Sequence, residues 1–101
     1  MRIVEIEGEV VGSVGAYPVE GDTEVTYWIQ RKWWGRGVAT AALAALLEEV
    51  RTRPLHGRVA EDNVGSIRVL ERNGFVLTGS EESFAPARRE TIRELIYKLS
   101  D

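Results

Sequence analysis

The sequence predicts a mixed α+β fold: a mostly antiparallel sheet with a central parallel, splayed pair of strands, in the order β-β-β-α-β-α-β-β. Three observations carry that prediction. The first 30 residues fall into strand-like apolar runs divided by turn residues. Two later stretches switch to helical spacing. The short apolar run between them makes a strand-helix-strand unit, which joins a parallel pair by a right-handed crossover.

Each element has its own warrant. Arg2 to Ile6 alternates around Ile3, Val4 and Ile6, and Glu7-Gly8 reads as a turn. Val10 to Tyr17 follows, so the first two segments form a hairpin. Pro18 to Asp22 is assigned to a loop. Thr23 to Gln30, TEVTYWIQ, is rich in β-branched and aromatic residues and makes the third strand. Leu43, Leu46, Leu47 and Val50 then recur at helical spacing with alanines between them. That predicts a helix from about Val38 to Arg53, stopped by Pro54. Leu55 to Ala60 is a short fourth strand. Val64, Ile67 and Leu70 fall three apart, which predicts a second helix over Asn63 to Asn73. Asp62 or Asn63 is its N-cap, and Asn73-Gly74 is a C-terminal stop. Phe75 to Gly79 reads as a strand, Ser80 to Ala87 as a loop and Thr91 to Leu99 as the last strand. No repeat, linker or low-complexity tract interrupts residues 1–101, so one short domain is expected.

Composition narrows the function. The chain is 44% hydrophobic and 29% charged, enough for a small core and for solubility. It has no cysteine and one histidine, His56. That removes disulfides, thiolate sites and cysteine nucleophiles, predicts no metal site, and fits a reducing cytoplasm. A net charge of −3 argues against a nucleic-acid partner. No apolar run reaches membrane-spanning length, and Met1 to Val14 is not a signal peptide, so no membrane partner is expected.

The chemistry concentrates at WWGRGVAT, Trp33 to Thr40, where the third strand gives way to the first helix. Gly35 and Gly37 let a ligand approach the backbone. The first N–H groups of the helix lack intrahelical partners, and its dipole places partial positive charge there. Arg36 adds a full charge and Thr40 a hydroxyl. Such converging donors suit a diphosphate. The bland reading is a tight turn. The motif is neither a Walker A loop nor a complete G-x-G-x-x-G.

A second segment, EDNVGSIRVLERNGF, Glu61 to Phe75, gives the first its context. Tyr27-Trp28-Ile29, then Trp34-Gly35-Arg36-Gly37-Val38-Ala39-Thr40, then Asn63, Ser66, Leu70, Glu71, Gly74 and Phe75 occur in order on the predicted elements. Together they resemble the GNAT superfamily of N-acetyltransferases, nearest the ribosomal-protein-alanine acetyltransferase branch. The resemblance runs from about Glu24 to Phe75. It implies acetyl-coenzyme A as cosubstrate and a primary amine, of a peptide or a small molecule, as acceptor. It also implies that Gly35, Arg36, Gly37, Val38, Ala39 and Thr40 hold the phosphates. Tyr27, Trp28 and Ile29 would line the pantetheine arm along a splayed strand, and Asn63 would bind that arm near the second helix.

Acetyl transfer needs an aligned neutral amine, an oxyanion donor and a proton for the leaving thiolate. A backbone N–H around Trp28 to Gln30 is the expected oxyanion donor. Many members of the superfamily place an acidic tyrosine on the second helix; this chain has Val69-Leu70 there. Ser66 is the nearest hydroxyl, and local backbone capping is its equally good alternative role. Glu24 is the candidate base, against the reading of a solvated strand carboxylate. His56 reads as a surface histidine, Arg68 and Arg72 as a solvated helix face, and Trp33 and Trp34 as packing for the sheet end. The resemblance also implies a strand and two helices ahead of the first hairpin. Three explanations stand for their absence: a short form with an open acceptor groove, a second subunit supplying the wall as a homodimer, or a truncated chain. The leading expectation is an N-acetyltransferase. The alternative is a non-catalytic acyl-CoA-binding or regulatory module, and the third is a structural domain whose glycines only form turns.

Overall fold

Two hairpin turns organise the N-terminal half of the sheet. Glu7-Gly8 has φ values of 51° and 83°, and Glu20-Gly21 has 47° and 89°. Paired positive φ values match the twist of antiparallel strands. They join β1 (Arg2–Ile6), β2 (Glu9–Val19) and β3 (Asp22–Ile29) into a meander. The computed structural model describes residues 1–100 and continues with α1 (Val38–Glu49), β4 (Leu55–Ala60), α2 (Val64–Arg72), β5 (Val76–Ala85) and β6 (Glu90–Leu99). The six strands form one sheet in the order β1-β2-β3-β4-β6-β5. Every neighbouring pair is antiparallel except β3 and β4. This is the expected mixed α+β architecture.

Three boundaries differ from expectation. Pro18 to Asp22 is no loop: β2 runs through Pro18, which pairs with Thr23. Proline is tolerated because the β1 ladder reaches only from Glu9 to Val14 of β2, so no partner is waiting for the missing N–H. Helix α1 stops at Glu49, not Arg53, and Val50 is extended at φ −93° and ψ 104°. Arg53 precedes a proline, which disfavours helical backbone, and its guanidinium donates to Val50 O at 2.9 Å. Ser80 to Ala85, expected as loop, is strand paired residue by residue with β6. Nearly every β5 side chain is exposed, so no burial alternation marks it.

Both helices lie on one face of the sheet. Val25 of β3, Leu55 and Val59 of β4, and Tyr97 and Leu99 of β6 alternate toward them. They meet Leu43 and Leu46 of α1 and Val69 and Leu70 of α2 in a single core. Asn73 ties the helices together, donating from Nδ2 to Thr40 O at 3.2 Å.

Candidate active site

Strands β3 and β4 pair at one position, Glu24 opposite His56, and then diverge. The gap is a cleft of about 360 Å³. Glu24 and Tyr27 of β3, Gly57 and Arg58 of β4, Asn63 and Ser66 of the α2 start, and Ile92 and Glu94 of β6 line it. Being parallel, β3 and β4 both run into helices at their carboxyl ends. The starts of α1 and α2 therefore share the end of the sheet at which the strands part.

The backbone of β3 has a readable polarity. Gln30 N–H donates to Val11 O of β2 at 2.7 Å. Backbone groups alternate sides along a strand, so Trp28 and Gln30 face β2, while Tyr27 and Ile29 face the parting. Of the expected oxyanion donors around Trp28 to Gln30, Ile29 N–H alone points that way. The Ile29 carbonyl is occupied by Trp34 Nε1–H at 2.7 Å. The Ile29 side chain is buried on the helix side, whereas Trp28 is 58% exposed on the opposite face.

At the start of α1, Gly35 and Gly37 both have φ of 76°. A side chain there would be strained, although nothing lies within 4 Å of a Cβ at either position. The first helical bond is Ala41 N–H to Gly37 O at 3.0 Å. The amides of Val38, Ala39 and Thr40 precede it, no side chain caps them, and the first turn carries no acidic residue. The contrast with α2 is direct: the Asn63 side chain accepts from Ser66 N–H at 3.2 Å. Arg36 stacks on Trp33 at 5.3 Å, Lys32 on the same ring at 5.9 Å, and Arg31 on Trp34 at 5.4 Å. Three cations thus cluster on the tryptophans of the segment that leads into α1, with Lys32 also paired to Glu9 at 2.8 Å.

Glu24, Tyr27, Asn63 and Ser66 come together in the cleft. Gly35 to Thr40 stand apart from its walls, beyond the end of β3. Glu24 is buried and its Oε2 lies 3.4 Å from Arg58 Nε, so it is not a solvated carboxylate. Tyr27 donates from its hydroxyl to the Ser66 carbonyl at 3.1 Å. Burial pushes this phenol above its ordinary value, so it stays protonated at neutral pH. His56 is half-buried, and its Nδ1 is buried without a partner. Arg58 and Glu94 escaped the reading of the sequence. The available signal was a charge in LHGRVA alternating with Leu55, Gly57 and Val59, which places Arg58 on the other face of a buried strand.

Comparison with known proteins decides the family. Residues 2–76 match the family described as the acetyltransferase (GNAT) domain. The chain belongs to the GNAT acetyltransferase family. It is similar to the ribosomal-protein-serine acetyltransferase of Escherichia coli (strain K12), with 32% identity over 88 residues, 78% of this chain and 48% of that protein. This GNAT chain thus spans about half the length of the curated relatives it matches. Among solved structures it resembles a ribosomal-protein-alanine N-acetyltransferase from Brucella melitensis. That match has a TM-score of 0.85 and 25% identity, and covers 98% of this chain and 67% of the other. The yncA protein of Salmonella typhimurium, solved with its cofactor acetyl-CoA, shares the GNAT fold at a TM-score of 0.86 and 19% identity, over 97% of this chain and 62% of that one.

Proposed function

We propose that this GNAT chain transfers an acetyl group from acetyl-coenzyme A to a primary amine. The observation that carries the reading is the parting of β3 and β4 beside an uncapped helix start. The amides of Val38, Ala39 and Thr40, with Arg36, suit a diphosphate. The free edge at Tyr27 and Ile29 suits an extended pantetheine arm, which would add to β3 as a strand adds to a sheet edge. Asn63 and Ser66 wall that arm from the α2 side.

The chemistry follows from the same positions. The amine nitrogen attacks the thioester carbonyl carbon, and the carbon–sulfur bond breaks. Ile29 N–H is the donor for the developing oxyanion. Glu24 is the base that removes the amine proton, and a proton goes to the leaving thiolate. Ser66 is the candidate donor there, and Tyr27 is a protonated phenol in the same cleft. The ribosomal-protein acetyltransferases among its relatives make a protein N-terminus the first acceptor to try. A second copy of the chain is the proposed cover for the helix-free face, where Ile3, Tyr17 and Trp28 are exposed.

One observation favours the non-catalytic alternative. The stretch of α2 where the family resemblance implies an acidic tyrosine holds Val69 and Leu70, both buried in the core. Following thiol release from acetyl-CoA with a panel of peptides and small amines decides between the two. Turnover that falls about 100-fold in Glu24→Gln supports the enzyme. Calorimetric binding of coenzyme A without thiol release for any amine supports the binding module.

A further inference from the structure

Arg58 gathers carboxylates from three strands. Its Nε lies 3.4 Å from Glu24 Oε2 on β3, and its Nη1 lies 3.7 Å from Glu94 Oε1 on β6. Nη1 also donates to Glu81 Oε1 on β5. The bond to Glu81 foremost, then the charge of Glu24, pushes the guanidinium further above its ordinary value against the cost of burial.

The arrangement matters because of where β3 and β4 separate. One residue pair, Glu24 with His56, joins the strands; it fixes the Glu24 backbone against β4 but leaves its side chain to be placed by side-chain contacts. The Arg58–Glu24 contact ties the Glu24 side chain to β4. The Glu24 side chain is 11% exposed, and a carboxylate so buried is costly unless paired. Glu81 and Glu94 hold the guanidinium from the far side. Arginine suits this task because its planar fork fixes direction, which an ammonium does not. Arg58 engages Oε2 of Glu24, and Glu24 lines the cleft.

We infer that Arg58 is a positioning residue for acetyl transfer. It anchors one oxygen of Glu24 so that the other meets the acceptor amine. The inference rests on the acetyl-transfer reading and assigns Arg58 no contact with either substrate.

The experiment compares wild type, Arg58→Met, Arg58→Lys, Glu24→Gln and the Arg58→Met/Glu24→Gln double variant. Each is followed by thiol release with acetyl-CoA and the best amine of the panel. Each is also checked for coenzyme A affinity by calorimetry and for folding by circular dichroism. The expected result for Arg58→Met is a kcat lower by about 10- to 100-fold, with the KM for acetyl-CoA and coenzyme A affinity unchanged. Arg58→Lys falls between Arg58→Met and wild type. The double variant is no slower than Glu24→Gln alone, because Arg58 acts through Glu24. Where Arg58→Met fails to fold, Arg58→Lys and its double variant with Glu24→Gln give the same comparison. A wild-type kcat in a folded Arg58 variant overturns the inference and leaves acetyl transfer standing. So do losses that multiply in the double variant. Coenzyme A binding with no thiol release from wild type and any amine overturns the transfer reading, and this inference with it.

Discussion

Glu24 on β3 stands opposite His56 on β4, and that pair is the whole ladder between the two strands. Everything on the N-terminal side of it is an ordinary antiparallel meander, and everything beyond β4 is an antiparallel hairpin. The same Glu24 also meets Arg58, two residues further along β4. A side-chain contact thus continues across the sheet where backbone pairing stops.

The helix start gives the first prediction. Gly37→Val forces a β-branched residue to φ of 76°, which costs about 1–2 kcal/mol. Nothing lies within 4 Å of the new Cβ, so the fold tolerates it. The added bulk shields the amides of Val38 to Thr40. Coenzyme A affinity measured by calorimetry falls at least about tenfold, an energy of about 1.4 kcal/mol, while circular dichroism stays that of the wild type.

The cap of the second helix gives another. Asn63 accepts from Ser66 N–H, and Asn63→Ala leaves that donor without its partner. Urea unfolding should show a loss of about 1 kcal/mol. Asn63→Asp, which keeps an accepting oxygen, should recover most of it.

Gly57 faces the core beneath α2. A Cβ there would stand 2.8 Å from Leu70 Cδ2 and 3.2 Å from Cδ1. Leu70 is 1% exposed and has no room to move. Gly57→Ala should therefore destabilise by about 1–3 kcal/mol, read as a lower urea midpoint. Trimming the neighbour in Gly57→Ala/Leu70→Val should be less damaging than the two single losses added together.

Tyr97 carries a pH prediction. Its hydroxyl donates to Glu71 Oε2 at 3.2 Å, and the ring is buried. Burial first, then the Glu71 carboxylate, raises its proton affinity in the folded state. The folded chain holds this proton more tightly than the unfolded one. The contribution is therefore whole below the unfolded phenol value of about 10 and is lost as pH rises through the higher folded value. Urea midpoints of wild type should fall above about pH 10, and Tyr97→Phe should lack that part of the slope.

Much of this architecture was legible because burial writes a period into the residues. Val25, Tyr27 and Ile29 alternate on β3, and Leu43 and Leu46 mark α1 at helical spacing. Where burial is missing, the signal fails. Ser80 to Ala85 is strand because β6 pairs with it, yet its exposed serines and glutamates look like loop. Pro18 hid the end of β2 for a related reason, since proline is harmless only where no partner needs its N–H. At the site, Gly35 and Gly37 were visible because a positive φ demands glycine. Arg58 was not, since its three carboxylates are 34, 23 and 36 residues away. Only the folded sheet brings them together.

An ordinary sheet has two rims, and proteins take care to blunt them. This sheet has two more inside, where β3 and β4 turn raw backbone toward each other past Glu24 and His56. An unpaired strand edge is a template for another extended chain. On the proposed reading coenzyme A fills this seam, so stocks held without it should cloud sooner than saturated ones.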